Sequence, residues 1–392
     1  MTAPEISLRD PAFDADKYGE IERLRTQSYY ARIEGGVVFF NQEDCFHVLR
    51  CRDFRFSFFQ IAEARSPYLA EAIKHELLNM HGGPHERLQK LVLAALRDKI
   101  VDELRARITA IVDDLIDEMG TGDVDFCAAF ADPLPARILG PMFDIPYEDT
   151  AGLNDWIKVG GRKVDALQSG VGLEEVETAN RNMHDYFRGQ VRARRGRGGE
   201  DVFSQLMTAE IDGDRLSEDE LVYLTSELGS AGVDTTRSQL PLILHTLLTH
   251  PTELGKLRSD PSLARAAVDE GMRFAPLPWC LPHAALSDHT YKDIEFREGD
   301  LAMTMVPAAN RDPAAMEAPQ TFDITRKRVR NFSFGYGMHA CPGAQLARLE
   351  MAIALERLTA RLSMELVGEP PREPVQKGST PKELRIRIAP RA

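Results

Sequence analysis

Residues 335–343 constrain what this chain can fold into more than any other stretch. They read Gly-Tyr-Gly-Met-His-Ala-Cys-Pro-Gly and follow Phe334. Glycine lets backbone amides approach the sulfur of Cys341, and amides directed at a sulfur lower its pKa and favour the metal-binding thiolate. A single soft sulfur ligand suits haem iron, whereas zinc usually takes several Cys or His ligands at short spacings. The loop therefore predicts a thiolate ligand to haem, with a buried cysteine in a glycine-rich turn as the alternative.

The spacing in this loop resembles the cysteine signature of the cytochrome P-450 family, the haem-thiolate monooxygenases. The family pattern is Phe, two residues, Gly, three residues, Cys, one residue, Gly. Four residues of this chain fill it: Phe334, Gly337, Cys341 and Gly343. The resemblance implies that Cys341 is the metal ligand, and that Phe334, Gly335 and Gly343 belong to the haem-binding loop. His339, two residues before the cysteine, also matches many soluble bacterial members.

Composition excludes several classes of protein. The 392 residues carry a net charge of −13 without a basic domain, which disfavours a nucleic-acid partner. No apolar run approaches the length of about 18 residues that spans a bilayer, and residues 1–10 lack a signal-peptide pattern. Five scattered cysteines favour a reducing compartment over a disulfide framework. We expect one cytochrome P-450 domain over residues 1–392, soluble and cytoplasmic, with no membrane partner.

Hydrophobic periodicity indicates a mainly helical chain. Apolar residues recur at the helical period over 98–119, and Ser217 with Glu220 predicts a capping box before a long helix that runs to about His250. Further helices are predicted over 262–274 and 344–362. Short strands are predicted over 36–41, 289–296, 301–306 and 384–389. This pattern predicts a mainly α protein with small β-sheets. The resemblance implies the cytochrome P-450 fold, a helix-rich triangular prism that encloses haem.

Residues 231–236, Ala-Gly-Val-Asp-Thr-Thr, place an acid beside an alcohol in the middle of the predicted long helix. Gly and Thr are both poor helix formers, and a Thr hydroxyl can bond back to a carbonyl. The segment resembles the oxygen-activation motif of the family, which includes Ala231. The resemblance implies that Thr235 holds bound dioxygen and its water, and that Asp234 relays protons. The alternative is an ordinary threonine-containing helical turn.

Glu270 and Arg273 lie three apart, so they share one helix face. Ala-Asn-Arg-Asp-Pro at 309–313 and Phe-Asp at 322–323 follow in the order found in the family. The resemblance then implies that Glu270 and Arg273 form a buried ion-pair network that holds the cysteine loop.

Haem carries two propionates, which need cations or hydrogen-bond donors. His85, in the segment Pro-His-Glu-Arg-Leu-Gln at 84–89, matches the propionate-binding helix of the family, as His339 matches its own position. Gln89 and His283 stand where the family usually has arginine. The resemblance implies that all four residues contact the propionates. Because Gln89 and His283 replace arginines, we expect propionate binding to be weaker and more pH-sensitive than in the family. The alternative for each histidine is a surface residue or one satisfied in the core.

Family position predicts the lining of the substrate pocket. The predicted residues are Glu227, Ser230, Ala231, Leu277, Trp279, Cys280 and parts of the segment 56–78. Glu227 is unusual, because a carboxylate in an apolar pocket is costly unless it is paired or protonated. It is predicted either to bind a polar or cationic substrate group or to point elsewhere. The aromatic residues Phe54, Phe56, Phe58 and Phe59 are predicted to belong to the core.

The resemblance implies that electrons arrive one at a time from a small acidic ferredoxin or flavodoxin, and that NAD(P)H supplies them through a ferredoxin reductase. The basic run 326–330 and Arg348 flank the cysteine loop and are predicted to form the docking patch on an otherwise acidic protein. A solvated charged loop is the alternative.

These observations predict a haem b monooxygenase that inserts one oxygen atom of dioxygen into a C–H bond of a small or medium organic substrate. Two alternatives stay open. A haem-binding sensor or carrier needs Cys341 but not the acid–alcohol pair of Asp234 and Thr235. A thiolate-haem enzyme that uses peroxide, or that rearranges its substrate, often lacks that pair.

Overall fold

The computed structural model describes residues 3–8, 10–57, 65–96, 98–211, 213–327, 329–373 and 380–391. The helices are α1 (Pro11–Ala15), α2 (Lys17–Gln27), α3 (Gln42–Arg50), α4 (Pro67–Lys74), α5 (Gly82–Ala95), α6 (Asp98–Met119), α7 (Pro133–Phe143), α8 (Tyr147–Gly160), α9 (Lys163–Ser169), α10 (Leu173–Arg194), α11 (Val202–Thr208), α12 (Glu218–Thr249), α13 (Pro251–Ser259), α14 (Ala264–Phe274), α15 (Val306–Ala309) and α16 (Ala344–Arg361). Short 3₁₀ turns cover Leu77–Asn79, Pro261–Leu263, Phe332–Phe334 and Gly337–His339, and a π-helical turn covers Cys127–Ala131.

The strands are short and form small sheets. They are β1 (Tyr30–Ile33), β2 (Gly36–Phe39), β3 (Phe54–Phe56), β4 (Gly122–Asp125), β5 (Glu210–Ile211), β6 (Asp214–Arg215), β7 (Cys280–Ala285), β8 (His289–Tyr291), β9 (Ile294–Phe296), β10 (Leu301–Met305), β11 (Leu362–Leu366) and β12 (Arg385–Pro390). The largest sheet has the order β1-β2-β10-β7-β3. Its β2–β10 pair is parallel and the other pairs are antiparallel.

The register of this sheet positions one predicted site residue. His283 of β7 lies opposite Ala302 of β10 on one side and opposite Phe56 of β3 on the other. A second sheet pairs β12 with β11 and with β4. Two hairpins, β5–β6 and β8–β9, complete the sheets of the described residues.

Helix α12 is the central element. It begins at the predicted capping box, in which the Ser217 amide donates to Glu220 Oε2 at 2.8 Å and the Glu220 amide donates to Ser217 Oγ at 3.2 Å. The helix continues through Pro241 and ends at Thr249, where Pro251 starts α13. It packs against α7, α10, α14 and α16. Most residues of 221–226 and 239–247 are buried, whereas Ala231, Gly232 and Thr235 in the middle of the helix are exposed.

The predicted mainly α architecture with small sheets is confirmed, and the predicted helices over 98–119, 262–274 and 344–362 are present within one or two residues of their ends. All four predicted strands are found, with 289–296 split into the hairpin β8–β9. Strands β1, β3, β4, β7 and β11 lacked a sequence signal strong enough to predict. β3 and β4 pair with strands that are distant along the chain, and β7 pairs with both β3 and β10, whereas β1 and β11 each pair with the next strand.

Helices form the main hydrophobic core, which α12 crosses between α7 and α16. A second cluster lies under the large sheet and includes Phe39, Phe54 and Phe332. No helix among the described ranges combines the length and the apolar content needed to cross a bilayer.

Candidate active site

The cysteine loop takes a backbone shape that needs glycine at two positions. Gly335 and Gly337 have φ values of 65° and 70°, in the left-handed region that favours glycine. A Cβ on Gly337 would stand 2.3 Å from the carbonyl oxygen of Leu49, at the end of α3. Any larger residue at this position would therefore push the loop away from α3.

Cys341 lies at the end of this loop and just before α16. Its amide donates to the carbonyl of Phe334 at 2.9 Å, which closes the loop. The side chain is exposed on one side, while protein surrounds it closely enough that burial raises the pKa of its thiol. A hydrogen bond from the Gly343 amide and the charge of Arg348 oppose this rise.

The predicted lowering of the Cys341 pKa is therefore wrong in its net direction. One amide bond and one arginine at a distance contribute less than the removal of a thiolate from water costs. The loop thus presents the sulfur, while burial, the largest influence on the thiol pKa, opposes its ionisation.

The middle of α12 is open although the helix is otherwise well packed. Ala231, Gly232 and Thr235 are exposed, while Gly229, Val233 and Thr236 around them are buried. A Cβ on Gly232 would meet no described atom within 4 Å. The Thr235 hydroxyl donates to the carbonyl of Ala231 at 2.6 Å. The hydroxyl is thus held against the helix, with its oxygen toward the accessible face.

Asp234 points to a different neighbour. Its Oδ1 accepts a hydrogen bond from Arg237 Nη2 at 2.5 Å, and its side chain is 45% exposed. A Cβ built on Gly161, just after α8, would lie 3.9 Å from this carboxyl group. The acid therefore faces the α8–α9 junction and an ion pair, whereas the alcohol next to it faces the open side of the helix.

A group of histidines gathers beside the cysteine loop. The rings of His85 and His339 are 4.4 Å apart, and Phe56 contacts both His339 and His283. Burial lowers the pKa of His339 to about 3 and that of His283 to about 4, and it also lowers the pKa values of His85 and His81. The charges of His85, His283 and His81 add to the effect on His339.

Most of these rings lack an acceptor. Both ring nitrogens of His339, and Nδ1 of His85 and of His81, are buried without a hydrogen-bond partner in the described part of the chain. His283 Nδ1 makes only a long bond, of 3.4 Å, to the Leu281 carbonyl. Buried polar atoms are nearly always paired, so this group calls for an acidic partner. His81 was not predicted from the sequence, because it stands one turn outside the recognised segment 84–89.

Gln89 of α5 is hydrogen-bonded to the cysteine loop. Its amide Nε2 donates to the carbonyl of Met338 at 2.6 Å, which ties α5 to the cysteine loop. One of the two N–H donors of Gln89 is therefore used by Met338, and the second stays available for the predicted contact with a haem carboxylate.

Glu270 and Arg273 of α14 form the predicted buried ion pair. Arg273 Nε lies 2.7 Å from Glu270 Oε2, and Nη2 lies 2.8 Å from Oε1. Arg273 also donates to the carbonyls of Asn310, Pro319 and Thr321. The side chain of Asn310 then accepts from the Phe332 amide at 2.7 Å and donates to Ser333 Oγ at 3.2 Å. The network therefore reaches the residues just before Phe334.

The comparisons with known proteins agree with this geometry. The family model described as Cytochrome P-450 matches residues 176–388. The monooxygenase PikC of Streptomyces venezuelae is 31% identical over 363 residues, which cover 89% of this chain and 84% of PikC. The mycinamicin IV hydroxylase/epoxidase of Micromonospora griseorubida is 33% identical over 304 residues, 76% of this chain and 75% of that enzyme.

The chain belongs to the cytochrome P-450 family. A solved structure supports the same fold: that of the Bacillus subtilis bacillaene polyketide synthase cytochrome P-450, PksS, has a TM-score of 0.88 at 27% identity and covers 98% of this chain and all of that one. This P-450 is therefore an oxygen-incorporating oxidoreductase that uses haem and dioxygen, with a redox partner and a small-molecule substrate.

The described residues fit a haem. Cys341 offers one sulfur, and α12 turns an accessible stretch toward the interior. The histidine group (His81, His85, His283 and His339) offers buried ring nitrogens that lack acceptors among the described residues, as two propionates would require. Haem bound through a thiolate supplies the activation of dioxygen. The chain supplies the pocket, the hydrogen bonds and the exclusion of water.

Three of the predicted substrate-pocket residues are engaged elsewhere. Trp279 is buried, with its ring 5.5 Å from Tyr18, in the cluster formed by the N-terminal helices. Cys280 packs against the same cluster, and burial raises the pKa of its thiol to about 12. The carboxylate of Glu227 accepts two backbone amides, from Leu77 and Leu78. Trp279 and Cys280 thus pack on the N-terminal cluster and not on the predicted pocket, and Glu227 follows the alternative in which its carboxylate points elsewhere.

Ser230 and Leu277 remain compatible with a substrate pocket. Both are partly exposed, and the Leu277 amide donates to Gln239 of α12 at 2.9 Å, which keeps this segment next to the central helix. Phe54 and Phe56 are buried in β3, as predicted. Phe58 and Phe59, and the rest of 58–64, lie outside the described residues.

Two arginines of the predicted docking patch are tied into the protein. Arg326 contacts Glu270 at 3.2 Å and donates to the carbonyls of Glu317, Ala318 and Thr321. Arg348 bonds Asp269 at 2.6 Å and covers the ring of Phe334 at 4.2 Å. Neither is free to meet a partner, because each neutralises an acid of α14. Arg328 lies outside the described residues.

Proposed function

We propose that this P-450 inserts one oxygen atom of dioxygen into a C–H bond of a small-to-medium organic substrate. Electrons come singly from a ferredoxin-type protein, which NAD(P)H reduces through a ferredoxin reductase. The enzyme acts in the cytoplasm, where its five free cysteines stay reduced. Two relatives that carry the words monooxygenase and hydroxylase/epoxidase in their names support the oxygen-inserting reaction.

The proposal rests on two accessible groups on neighbouring elements: Thr235 in the open middle of α12, and the single sulfur of Cys341 just before α16, a helix that packs against α12. The Thr235 hydroxyl is anchored on the Ala231 carbonyl, so its oxygen keeps one orientation toward the open face. In this orientation Thr235 Oγ1 accepts a hydrogen bond from a polar ligand or its water, and it can donate to the ligand only when its bond to the Ala231 carbonyl opens. A sensor or carrier of haem has no use for such an alcohol beside an acid.

Asp234 completes the proton path. Its carboxylate sits between Arg237 and the end of α8, at the margin of the protein rather than in its interior. A carboxylate there takes a proton from solvent when the ion pair with Arg237 opens. It then returns the proton inward along the turn that it shares with Thr235.

Of the predicted docking patch, Lys327 and Arg330 are exposed among the described residues, and Arg50 lies beside Arg330. Arg50 and Arg330 are exposed and flank the ring of Phe46, with their guanidinium carbons 5.0 and 4.0 Å from its centroid. Phe46 in turn contacts Tyr336 of the cysteine loop at 5.4 Å. Lys327 is exposed nearby in sequence. We assign the docking patch to Arg50, Lys327 and Arg330, because they reach the loop that carries Cys341 while the rest of the protein is acidic.

Turnover under labelled oxygen tests the function. Haem-loaded enzyme is first screened for compounds that shift the haem spectrum from low to high spin. The best compound is then incubated with NADPH, ferredoxin reductase and ferredoxin under ¹⁸O₂, with hydrogen peroxide as the parallel oxidant. We expect a product that carries one ¹⁸O atom in the ferredoxin arm. Product in the peroxide arm alone would overturn the proposal in favour of a peroxide-driven enzyme, and no product in either arm would favour a carrier.

A further inference from the structure

Glu227 joins the central helix to a segment 150 residues earlier in the chain. Its Oε2 accepts the Leu77 amide at 2.6 Å and its Oε1 accepts the Leu78 amide at 3.0 Å. Both carboxylate oxygens are therefore engaged by the backbone of the 3₁₀ turn Leu77–Asn79. We call residues 76–81 the bridging segment.

Other contacts hold the bridging segment in the same place. Tyr223, one turn before Glu227 on α12, stacks on the ring of His75 with centroids 4.8 Å apart and an angle of 13°. Glu76 forms an ion pair with Lys163 of α9 and accepts a hydrogen bond from Asn79 Nδ2 at 3.2 Å. The bridging segment is thus tied to two helices, and α12 supplies two of the ties.

The two ends of this arrangement reach the two sides of the haem site. Glu227 precedes Ala231 by one turn and Thr235 by two turns, about 6 and 12 Å along the helix axis. At the other end the bridging segment stops at His81, whose charge acts on the rings of His85 and His339. Between them Leu77 is buried in the main core and Met80 packs against it. The segment therefore runs from Glu227, one turn before Ala231 on α12, to the histidine group.

A carboxylate is a costly way to make this link. Burial and the nearby charge of Glu76 raise the pKa of Glu227 to about 7, while the two amides and Lys163 oppose the rise. An apolar residue at this point of α12 would avoid the removal of a charge from water. Only an acceptor with two oxygens, however, satisfies both the Leu77 and the Leu78 amide, which are otherwise buried donors without acceptors.

We propose that Glu227 is a positioning residue that holds the bridging segment as a wall between the Ala231–Thr235 stretch and the histidine group, and so restricts the entry of water and ligands to the haem. The role differs from the substrate contact expected from the sequence. This inference rests on one part of the function proposed above, namely that haem occupies this site.

Hydrogen–deuterium exchange on the haem-loaded enzyme tests the inference. We expect peptides that cover residues 75–81 to exchange at least ten-fold faster in Glu227→Ala. In Glu227→Gln we expect an exchange rate between those of the wild type and Glu227→Ala, because one amide oxygen replaces two carboxylate oxygens. Ser226→Ala is the matched control: Ser226 is the buried neighbour on the same turn, and its hydroxyl has no partner among the described residues. We expect residues 75–81 of the Ser226→Ala variant to exchange at the wild-type rate.

A spectroscopic readout separates positioning from a general loss of structure. The association rate of an azole with the ferric haem rises several-fold in Glu227→Ala, while the thiolate-type carbonyl difference spectrum persists. Unchanged exchange over 75–81 in Glu227→Ala, or exchange that rises equally throughout the protein, would overturn the proposal. If Glu227→Ala does not retain haem, Glu227→Gln carries the same test. A wild-type protein without the thiolate-type spectrum would instead count against the haem site itself.

Discussion

Arg273 meets Glu270 with two parallel hydrogen bonds inside α14, and both side chains are almost completely buried, at 1% and 5% exposed. The remaining donors of Arg273 go to carbonyls of the segment 310–321. That segment continues through Asn310 to the backbone just before the cysteine loop. An ion pair three residues apart on one helix thus supports a loop about 70 residues later.

Removing one partner of this pair should release the haem. Glu270→Ala leaves the Arg273 charge buried and unpaired, which costs about 3–5 kcal/mol in the free energy of unfolding. We expect the purified variant to carry little haem, measured as haem per chain, and to unfold at a lower denaturant concentration. The control is Glu20→Ala, which breaks the exposed pair of Glu20 and Arg23 at the same spacing and should cost less than about 1 kcal/mol. A haem-loaded Glu270→Ala with wild-type stability would contradict this account.

Thr235 and Asp234 should differ in how their loss affects turnover. Thr235→Ala removes the positioned hydroxyl, so we expect electrons to be consumed while product per NADPH falls at least ten-fold and hydrogen peroxide appears. Asp234→Asn removes the titratable oxygen, and we expect turnover to slow by about 10²-fold, in the range for loss of one acid–base group. Thr235→Ser, which keeps the hydroxyl, should retain most of the yield. Equal yields in Thr235→Ala and wild type would exclude the assigned role.

Stability should depend on pH through Glu350 of α16. This side chain is buried, its Oε2 has no hydrogen-bond partner among the described residues, and burial raises its pKa from 4.5 to about 8. Between these values the folded protein holds a proton that the unfolded chain releases. The contribution to stability is therefore complete below pH 4.5 and is lost as the pH rises through about 8, by up to about 1.4 kcal/mol per pH unit.

Glu350→Gln, which stays neutral, isolates this effect. We expect its melting temperature to exceed that of the wild type by a margin that widens from pH 5.5 to pH 8.5. Glu227 also titrates in this pH range. It is present in both the wild type and Glu350→Gln, so its effect cancels in the difference between their melting temperatures. If the difference in melting temperature between Glu350→Gln and the wild type is the same at every pH, Glu350 is ionised in the folded protein and the prediction is wrong.

The docking patch predicts a salt-dependent defect in reduction. In the double variant Arg50→Glu, Arg330→Glu the encounter with an acidic ferredoxin becomes repulsive, so the reduction rate at low salt should fall at least ten-fold. The difference should shrink at high salt as the charges are screened. The control for net charge compares two single variants that change it equally: Arg330→Glu, and Arg197→Glu on the exposed loop between α10 and α11. Reduction at the wild-type rate at low salt would place the partner elsewhere.

Features that depend on residues close together in the sequence could be predicted well. The Phe334–Gly343 spacing, the capping box at Ser217 and the shared face of Glu270 and Arg273 follow from local backbone geometry, because a turn or a helix of known period decides which residues are neighbours. The mainly α fold and the approximate ends of the long helices have the same origin.

Features that depend on distant partners were decided by packing alone. The amides that meet Glu227, the N-terminal cluster that encloses Trp279 and the acids that occupy Arg326 and Arg348 all lie on other elements. Helical period states which side of a helix a residue is on, but not which segment covers that side. The Cys341 pKa shows the same division, because local amides lower it while the surrounding elements bury the sulfur and raise it.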